Sequence, residues 1–117
     1  MTSVTESIGA RLIVEERQRQ IEGEGWNARH DDTHDSGELA RAAACYALPP
    51  QIRELNTLPL LSARRKTLTE CLWPWDGRWW KPSRDDRIRE LTKAGAMIAA
   101  EIDRLQRAAL AGDGGGA

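Results

Sequence analysis

The sequence predicts a single, mainly α domain, with three helices packed against an irregular Trp- and Pro-rich segment. Three observations predict this fold class. Apolar residues recur at helical spacing in three stretches, and glycines or prolines interrupt the chain between them. The 117 residues suit one domain, and 40% hydrophobic with 30% charged residues is a foldable composition. We expect residues 1–111 to form the domain and the Gly-rich residues 112–117 to form a flexible tail.

The first helix is expected from about Val4 to Glu22. Ser3 and Glu6 have the spacing of a capping box, and Gly23 is suited to the C-terminal end. The last turns of this helix are almost wholly polar. Such a helix either faces solvent or directs some of its polar groups into a site.

A loop over residues 23–37 precedes the second helix, which is expected from Gly37 to Ala47 or Leu48. Pro49 and the proline after it prevent its continuation. The apolar face consists of Leu39, Ala42, Ala43, Tyr46 and Ala47. The small side chains on this face predict close approach of another helix.

Two segments between the second and last helices do not follow a regular pattern. Residues 49–72 are expected to form a loop with one or two helical turns. Residues 73–82 contain two prolines and a glycine, which exclude a regular helix or a central strand.

The last helix has the clearest pattern. Ser83 is expected to cap it, with Asp86 at the third position. An apolar stripe then follows alternating spacings of three and four residues: Ile88, Leu91, Gly95, Ile98, Ile102, Leu105 and Ala109. We expect this stripe to be buried, in the same subunit or in a partner. Gly95 lowers helix propensity, so we expect another element to cross closely there.

Four of the five Trp residues fall between positions 73 and 80, beside several cations, and the chain has no Phe. Indoles stack on planar rings, and Arg binds phosphate or carboxylate. The cluster therefore predicts a core, a ligand pocket, or a mixture of the two. We assign Trp73 and Trp75 to the core. Because neighbours in an extended chain point in opposite directions, one of Trp79 and Trp80 should face inward and the other a site.

A second cluster, His30-Asp31-Asp32-Thr33-His34-Asp35, allows three interpretations. The His-x-x-x-His spacing suits zinc on a helix, but the turn-forming residues that flank it disfavour that helix. A polar loop that caps the second helix is the simplest alternative. In a third interpretation, His30 and an Asp form hydrogen bonds with a ligand. We expect neither a metal nor another cofactor.

The remaining chemistry-bearing residues point away from catalysis. Helical nucleotide hydrolases hold magnesium with carboxylate pairs repeated along two helices, and Glu15, Glu16 and Glu22 do not complete that pattern. Cys45 has no base beside it in the sequence and is expected to be a buried structural thiol. No P-loop, G-x-G-x-x-G or G-x-S-x-G motif occurs. We therefore predict no catalytic residue.

Composition limits the partners and the compartment. A net charge of −1 disfavours a nucleic-acid partner, which requires excess cations. No apolar run has the length of a membrane span, and the N-terminus does not resemble a signal peptide. Two cysteines do not constitute a disulfide framework, so a cytoplasmic location is expected.

A series of short motifs follows one order along the chain: Glu16-Arg17-Gln18-Arg19-Gln20, Glu24-Gly25-Trp26, His30-Asp31-Asp32, Gly37-Glu38-Leu39-Ala40, Ala43-Ala44-Cys45-Tyr46-Ala47, Trp73-Pro74-Trp75, Trp79-Trp80-Lys81-Pro82, Lys93-Ala94-Gly95-Ala96 and Ala100-Glu101-Ile102-x-Arg104-Leu105. In this order and spacing, the motifs resemble small phage and prophage proteins of uncharacterised function. The resemblance covers most of residues 15–108, except about 49–70.

The Arg-rich first helix, the Glu-Gly-Trp that follows it and the His-containing acidic loop are also similar to the ryanodine-receptor repeat domain. This similarity implies a compact helical module with a polar pocket for a nucleotide-like ligand. A phage setting implies a protein that sequesters an immune signalling nucleotide of the host, whose cytoplasm would then be its location.

We therefore expect a non-enzymatic binding module for a small anionic nucleotide-derived ligand. The expected ligand-binding residues are Arg17, Trp26, His30, Asp31, Arg78, Trp79, Trp80 and Lys81. A protein–protein interaction module and a small metal-dependent nucleotide hydrolase are the alternatives. Homodimerisation through the C-terminal helix is a further hypothesis.

Overall fold

The structure, a computed structural model, describes residue 3 and residues 7–57 and 66–116, without the side chains of 113–116. It is mainly helical, as predicted. The described helices are α1 (Ile8–Glu24), α2 (Ala28–Asp31), α3 (Glu38–Ala47), α4 (Pro50–Arg53), α5 (Leu68–Leu72) and α6 (Arg87–Gly116), with a 3-10 turn at Gly77–Trp79. The three longest helices, α1, α3 and α6, form the body of the domain.

The core lies between α3 and α6. Ala42, Ala43 and Tyr46 of α3 pack with Ala94 and Met97 of α6, and all five are buried. Alanine leaves little side-chain bulk between two backbones, so the helices approach closely. The small apolar face that the sequence predicted for the second helix is thus confirmed as its packing face.

The helix α1 crosses α6 at Gly95. A Cβ atom placed on Gly95 would lie 2.5 Å from Cδ1 and 2.7 Å from Cγ1 of Ile13. These separations are well inside van der Waals contact, so only glycine leaves room for Ile13 without rearrangement. The predicted close crossing at Gly95 is confirmed, and its partner is α1.

The apolar stripe of α6 is not buried within the subunit, contrary to that part of the expectation. Ile98 is 47% exposed and Ile102 is 51% exposed, and Ile88, Leu91 and Leu105 are similarly open. The face buried against α3 instead carries Ala94, Met97 and Ala100. Small residues let α6 lie closer to α3 than a row of Ile and Leu side chains would allow.

The ends of α1 differ from those predicted. Ser7 caps its N-terminus by accepting a hydrogen bond from the Ala10 amide, whereas the predicted Val4–Glu6 turn lies outside the described residues. The helix continues past Gly23 and ends at Gly25, whose φ of 74° is left-handed. Both glycines suit a helix end by residue type, and the left-handed backbone occurs at the second.

The ends of α6 also differ from expectation. Asp86 caps the helix by accepting from the Arg89 amide, while the backbone amide of Ser83 donates to Glu90. At the other end, α6 continues to Gly116 rather than stopping before a tail at Gly112.

Two arginines satisfy the free carbonyl groups at the end of α3. Arg53 of α4 donates to the carbonyl oxygens of Cys45 and Leu48, and Arg87 donates to those of Tyr46, Ala47 and Leu48. Both guanidinium groups also bind the buried carboxylate of Glu90, at 2.6 Å each. Pro49 and Pro50 end α3, and Pro50 also begins α4. Through Arg53, α4 then supplies hydrogen-bond donors to the last turn of α3.

Within the described ranges, no helix is long and apolar enough to cross a membrane.

Candidate functional site

A cleft of about 460 Å³ opens between α1, α3, α6 and the Trp/Pro segment. Seven of its fifteen lining residues are aromatic, and the charged ones come from α1, from α6 and from Lys81 of the Trp/Pro segment. The lining residues are Glu16, Arg19, Gln20, Glu24, Trp26, His30, His34, Leu39, Tyr46, Trp73, Trp75, Trp79, Lys81, Lys93 and Met97. Clefts of this size with apolar walls and a few polar groups are typical of small-molecule sites.

A continuous series of ring contacts forms one wall of the cleft. Trp26 stacks parallel to His30 with 5.8 Å between ring centroids, and His30 meets His34 edge-on at 4.9 Å. His34 then lies 5.1 Å from Trp75, which contacts Trp73 edge-on at 5.4 Å. Because each ring supports the next, the wall is ordered before any ligand enters.

The ring series continues inward to the core. Trp73 lies 5.1 Å from Trp80 and 5.9 Å from Tyr46, and Trp80 lies 4.7 Å from Tyr46. Trp80 packs inward, whereas Trp79 is 57% exposed and lines the cleft, which confirms the expected opposite orientations. Trp73 and Trp75 contact the core, as assigned, but they also line the cleft. The mixed interpretation of the Trp cluster therefore describes the geometry.

Glu16 organises the α1 side of the cleft. Its carboxylate accepts two hydrogen bonds of 2.8 Å from Arg19, one of 2.6 Å from Arg89 and one of 3.1 Å from Gln20. Burial by itself raises the pKa of Glu16, but the hydrogen bonds from Arg19 and Arg89 outweigh burial and lower the pKa to about 2. The carboxylate is thus ionised and saturated at neutral pH. Arg19 also binds Glu24, at 3.0 Å.

Gln20 has an unusual environment for a polar side chain. It is 1% exposed, and its amide nitrogen donates to Glu16. An ionised carboxylate only accepts hydrogen bonds, so the NH₂ group must face Glu16 and the carbonyl oxygen must face elsewhere. Among the described residues, no donor reaches this buried Oε1 atom. An unsatisfied buried acceptor costs about 1–3 kcal/mol of stability. Its position at a cleft therefore points to a hydrogen-bond donor that a ligand would supply.

Lys93 brings a partly desolvated cation to the cleft. Its ammonium donates to the Lys81 carbonyl oxygen at 3.3 Å and lies 5.2 Å from the centre of the Tyr46 ring. In the described part of the chain, no carboxylate forms an ion pair with it. Burial lowers the pKa of Lys93, and the nearby charge of Arg89 lowers it further. An anion bound close to this ammonium would raise the pKa and so offset both effects.

The structure brings four of the eight predicted ligand-binding residues together at the cleft: Trp26, His30, Trp79 and Lys81. The other four lie elsewhere. Arg17 and the fully buried Asp31 form a 3.0 Å ion pair behind the wall, and Arg17 also donates to the Trp26 carbonyl oxygen. They therefore position Trp26 and His30 rather than face the cleft.

The two remaining residues flank the cleft without lining it. Arg78 is exposed and lies over the Trp79 ring at 5.5 Å. Trp80 is sandwiched between the aromatic core and Arg53, whose guanidinium lies 5.1 Å from its ring. Trp79 is the last residue of the 3-10 turn and Trp80 follows it in extended backbone, so the two adjacent indoles point in different directions. The extended chain on which the expectation rested is therefore not what separates them.

Sequence reasoning missed the α1 and α6 residues of the cleft, above all Gln20 and Lys93. A signal existed for the first: the last turns of α1 are polar at positions where a packed helix requires an apolar face. No comparable signal marked Lys93, which lies outside every motif considered for binding. Only the packing of α6 against α3 brings it to the Tyr46 ring.

The His and Asp cluster is divided among separate partners. Nδ1 of His30 lies 3.2 Å from Asp31, whereas Nδ1 of His34 lies 3.6 Å from Glu38. Across residues 7–57 and 66–116, no three His, Cys, Asp or Glu side chains are grouped so that they could hold a metal ion. Cys45 is fully buried, and burial raises its pKa to about 11, which disfavours the reactive thiolate.

Comparison with known proteins adds no relative to these observations: the chain matches no family model, no curated protein and no solved structure.

Proposed function

We propose that the protein is a non-enzymatic binding module that holds a small, anionic, nucleotide-derived ligand in the aromatic cleft. Trp26, Trp75 and Trp79 would provide stacking faces for a planar ring. Lys81 and Lys93 would neutralise the charge of phosphate groups. Each base stacked on an aromatic side chain contributes roughly 1–3 kcal/mol to binding.

The half-buried ammonium of Lys93 is the observation that carries this proposal. The other buried charges around the cleft have partners, since Glu16 binds two arginines and Asp31 binds Arg17. Among the described residues, Lys93 contacts a carbonyl oxygen and an aromatic ring, and the charges of Glu16 and Glu90 act on it without forming an ion pair. An unpaired cation beside exposed indoles favours a ligand that combines an anion with a planar ring.

The resemblance to phage and prophage proteins supports a specific setting for this binding. A phage protein in the cytoplasm of its host could inhibit immune signalling by sequestering the signalling nucleotide. Sequestration requires affinity but no catalytic group.

Titration calorimetry against ADP-ribose and adenine dinucleotides tests the proposal. We expect a Kd below about 100 μM for at least one of them, weakening as salt rises. Lys93→Met should weaken binding roughly tenfold to a hundredfold, because a charge-assisted hydrogen bond is lost. Lys66→Met is the matched control: Lys66 is exposed and lies away from the cleft. No binding in the whole panel, or equal losses in both variants, would contradict the proposal.

A second candidate function is self-association through α6, favoured by its exposed apolar stripe. The crossing of α1 at Gly95 divides this stripe. The part after the crossing, Ile98, Ile102 and Leu105, is about half exposed. A second copy of the chain would bury it in a protein–protein interaction module.

Light scattering distinguishes this second candidate. The 13.1 kDa chain should have twice that mass in solution if the stripe pairs, and Ile102→Glu should return it to the monomer mass. Ile8→Glu is a matched control, since Ile8 is 73% exposed on a different helix. A monomeric parent protein would exclude this function.

A further inference from the structure

We infer that the cleft selects rings that carry an exocyclic amino group, and that the Gln20 carbonyl oxygen accepts a hydrogen bond from that group. The inference rests on the proposed function. It adds a hydrogen bond to the edge of the ligand ring, which stacking on aromatic side chains does not distinguish. It would make Gln20 the specificity-determining residue of the cleft.

The local hydrogen bonds fix both the place and the direction of this acceptor. The backbone carbonyl of Gln20 accepts from the amides of Gly25 and Trp26, which anchors the last turn of α1. The side-chain nitrogen is held by Glu16, so the amide cannot turn over without placing its oxygen against a carboxylate. The Oε1 atom is therefore preorganised as an acceptor.

The partner of this atom must be a donor supplied from outside the described residues. Arg19 and Arg89 cannot supply it from their present positions, because their guanidinium groups bind Glu16. Lys93 is directed to the Lys81 carbonyl. A planar ring stacked in an indole-lined cleft offers hydrogen bonds only at its edge. An exocyclic amino group at that edge projects furthest from the ring and supplies a donor to an isolated carbonyl oxygen.

Sites built to bind a polar group discriminate strongly against an analogue that lacks it, because the buried protein atom then stays unsatisfied. Three pairs of nucleotides differ chiefly by one exocyclic amine. They are AMP and purine riboside 5′-monophosphate, GMP and IMP, and CMP and zebularine 5′-monophosphate. In the pair whose ring fits the cleft, we expect the aminated member to bind at least about tenfold more tightly.

The decisive variant is Gln20→Met, which keeps the length and volume of the side chain but removes the acceptor. It should reduce the ratio of the two dissociation constants to about one. The melting temperature should stay within a few degrees of the parent, because Glu16 retains both arginines and an unsatisfied buried group is removed. Gln18→Met is the matched control, because Gln18 lies two residues earlier on α1 and is exposed. This variant should leave the ratio of dissociation constants unchanged.

The outcomes distinguish failure of the proposed function from failure of the inference about Gln20. If no nucleotide binds the parent protein, the proposed function fails and this inference fails with it. If nucleotides bind but both members of every pair bind equally, the proposed function stands and the inference is wrong. A buried water on Gln20 would produce that second result. Discrimination that persists in Gln20→Met would also overturn the assignment, since another residue would then read the amine.

Discussion

The buried ion pair between Arg53 and Glu90 provides the sharpest test of how the fold supports the cleft. Glu90 is 0% exposed and Arg53 is 1% exposed, with 2.6 Å between guanidinium and carboxylate. Burial by itself raises the pKa of Glu90, but hydrogen bonds from Arg53 and Arg87 outweigh burial and lower it. The pair joins α4 to α6, and Arg53 also lies against Trp80.

The perturbation is Glu90→Gln, which keeps the shape of the side chain and removes its charge. Arg53 would then be a buried cation without a counter-ion, and breaking such a pair costs about 3–5 kcal/mol. That is a large share of the roughly 5–15 kcal/mol that stabilises a typical domain. The loss should be visible as a lower midpoint in urea unfolding followed by circular dichroism. Trp fluorescence should change as well, since Arg53 supports Trp80.

Glu54→Gln is the matched control. Glu54 pairs with Arg84 at 3.1 Å, but both side chains are about half exposed. Exposed pairs of this kind contribute about 0–1 kcal/mol. If Glu90→Gln lost no more stability than Glu54→Gln, the buried network would not exist as described. If Glu90→Gln did not fold, the double variant with Arg53→Met should regain the fold, because the unpaired charge is then absent.

Three further predictions concern α1, its crossing with α6 and the thiols. Burial raises the pKa of Glu16, but hydrogen bonds from arginines outweigh burial and lower it from 4.5 to about 2. The contribution of ionised Glu16 to folding stability is therefore complete above pH 4.5 and is lost as pH falls toward 2. Urea midpoints should show this decline, and Glu16→Gln should reduce it, leaving the part that comes from Glu90, whose pKa is also lowered. Gly95→Ala should destabilise by up to about 2 kcal/mol, because overpacking of about 1–3 kcal/mol exceeds a propensity gain of about 1 kcal/mol. Ile13→Val should recover part of that loss in thermal melts, whereas stabilisation by Gly95→Ala alone would place α1 elsewhere. Cys71 should react with a thiol reagent in the native protein and Cys45 only after unfolding, since Cys45 is buried and its pKa is raised to about 11; equal rates would contradict this.

The sequence by itself determined the helical class and the bounds of α3, whereas the ends of α1 and α6 differ from those it predicted. A proline is excluded from the interior of a helix, although the first turn tolerates it, as Pro50 does in α4. The end of α3 at Ala47 and the irregular segment from residue 73 could therefore be predicted. Small residues on a periodic face identified the packing surface of α3. Gly95, disfavoured within a helix, marked a close crossing before its partner was known.

The tertiary structure decided which faces are buried and which side chains meet. Periodicity favoured the Ile and Leu stripe of α6 as its buried face, but α3 packs with the Ala face because two backbones can approach more closely there. The polar turns of α1 allowed either solvent exposure or a site. Only the placement of α1 beside α6 brings Arg89 to Glu16, which fixes the amide of Gln20. Such pairing depends on residues more than seventy positions apart, which no local pattern encodes.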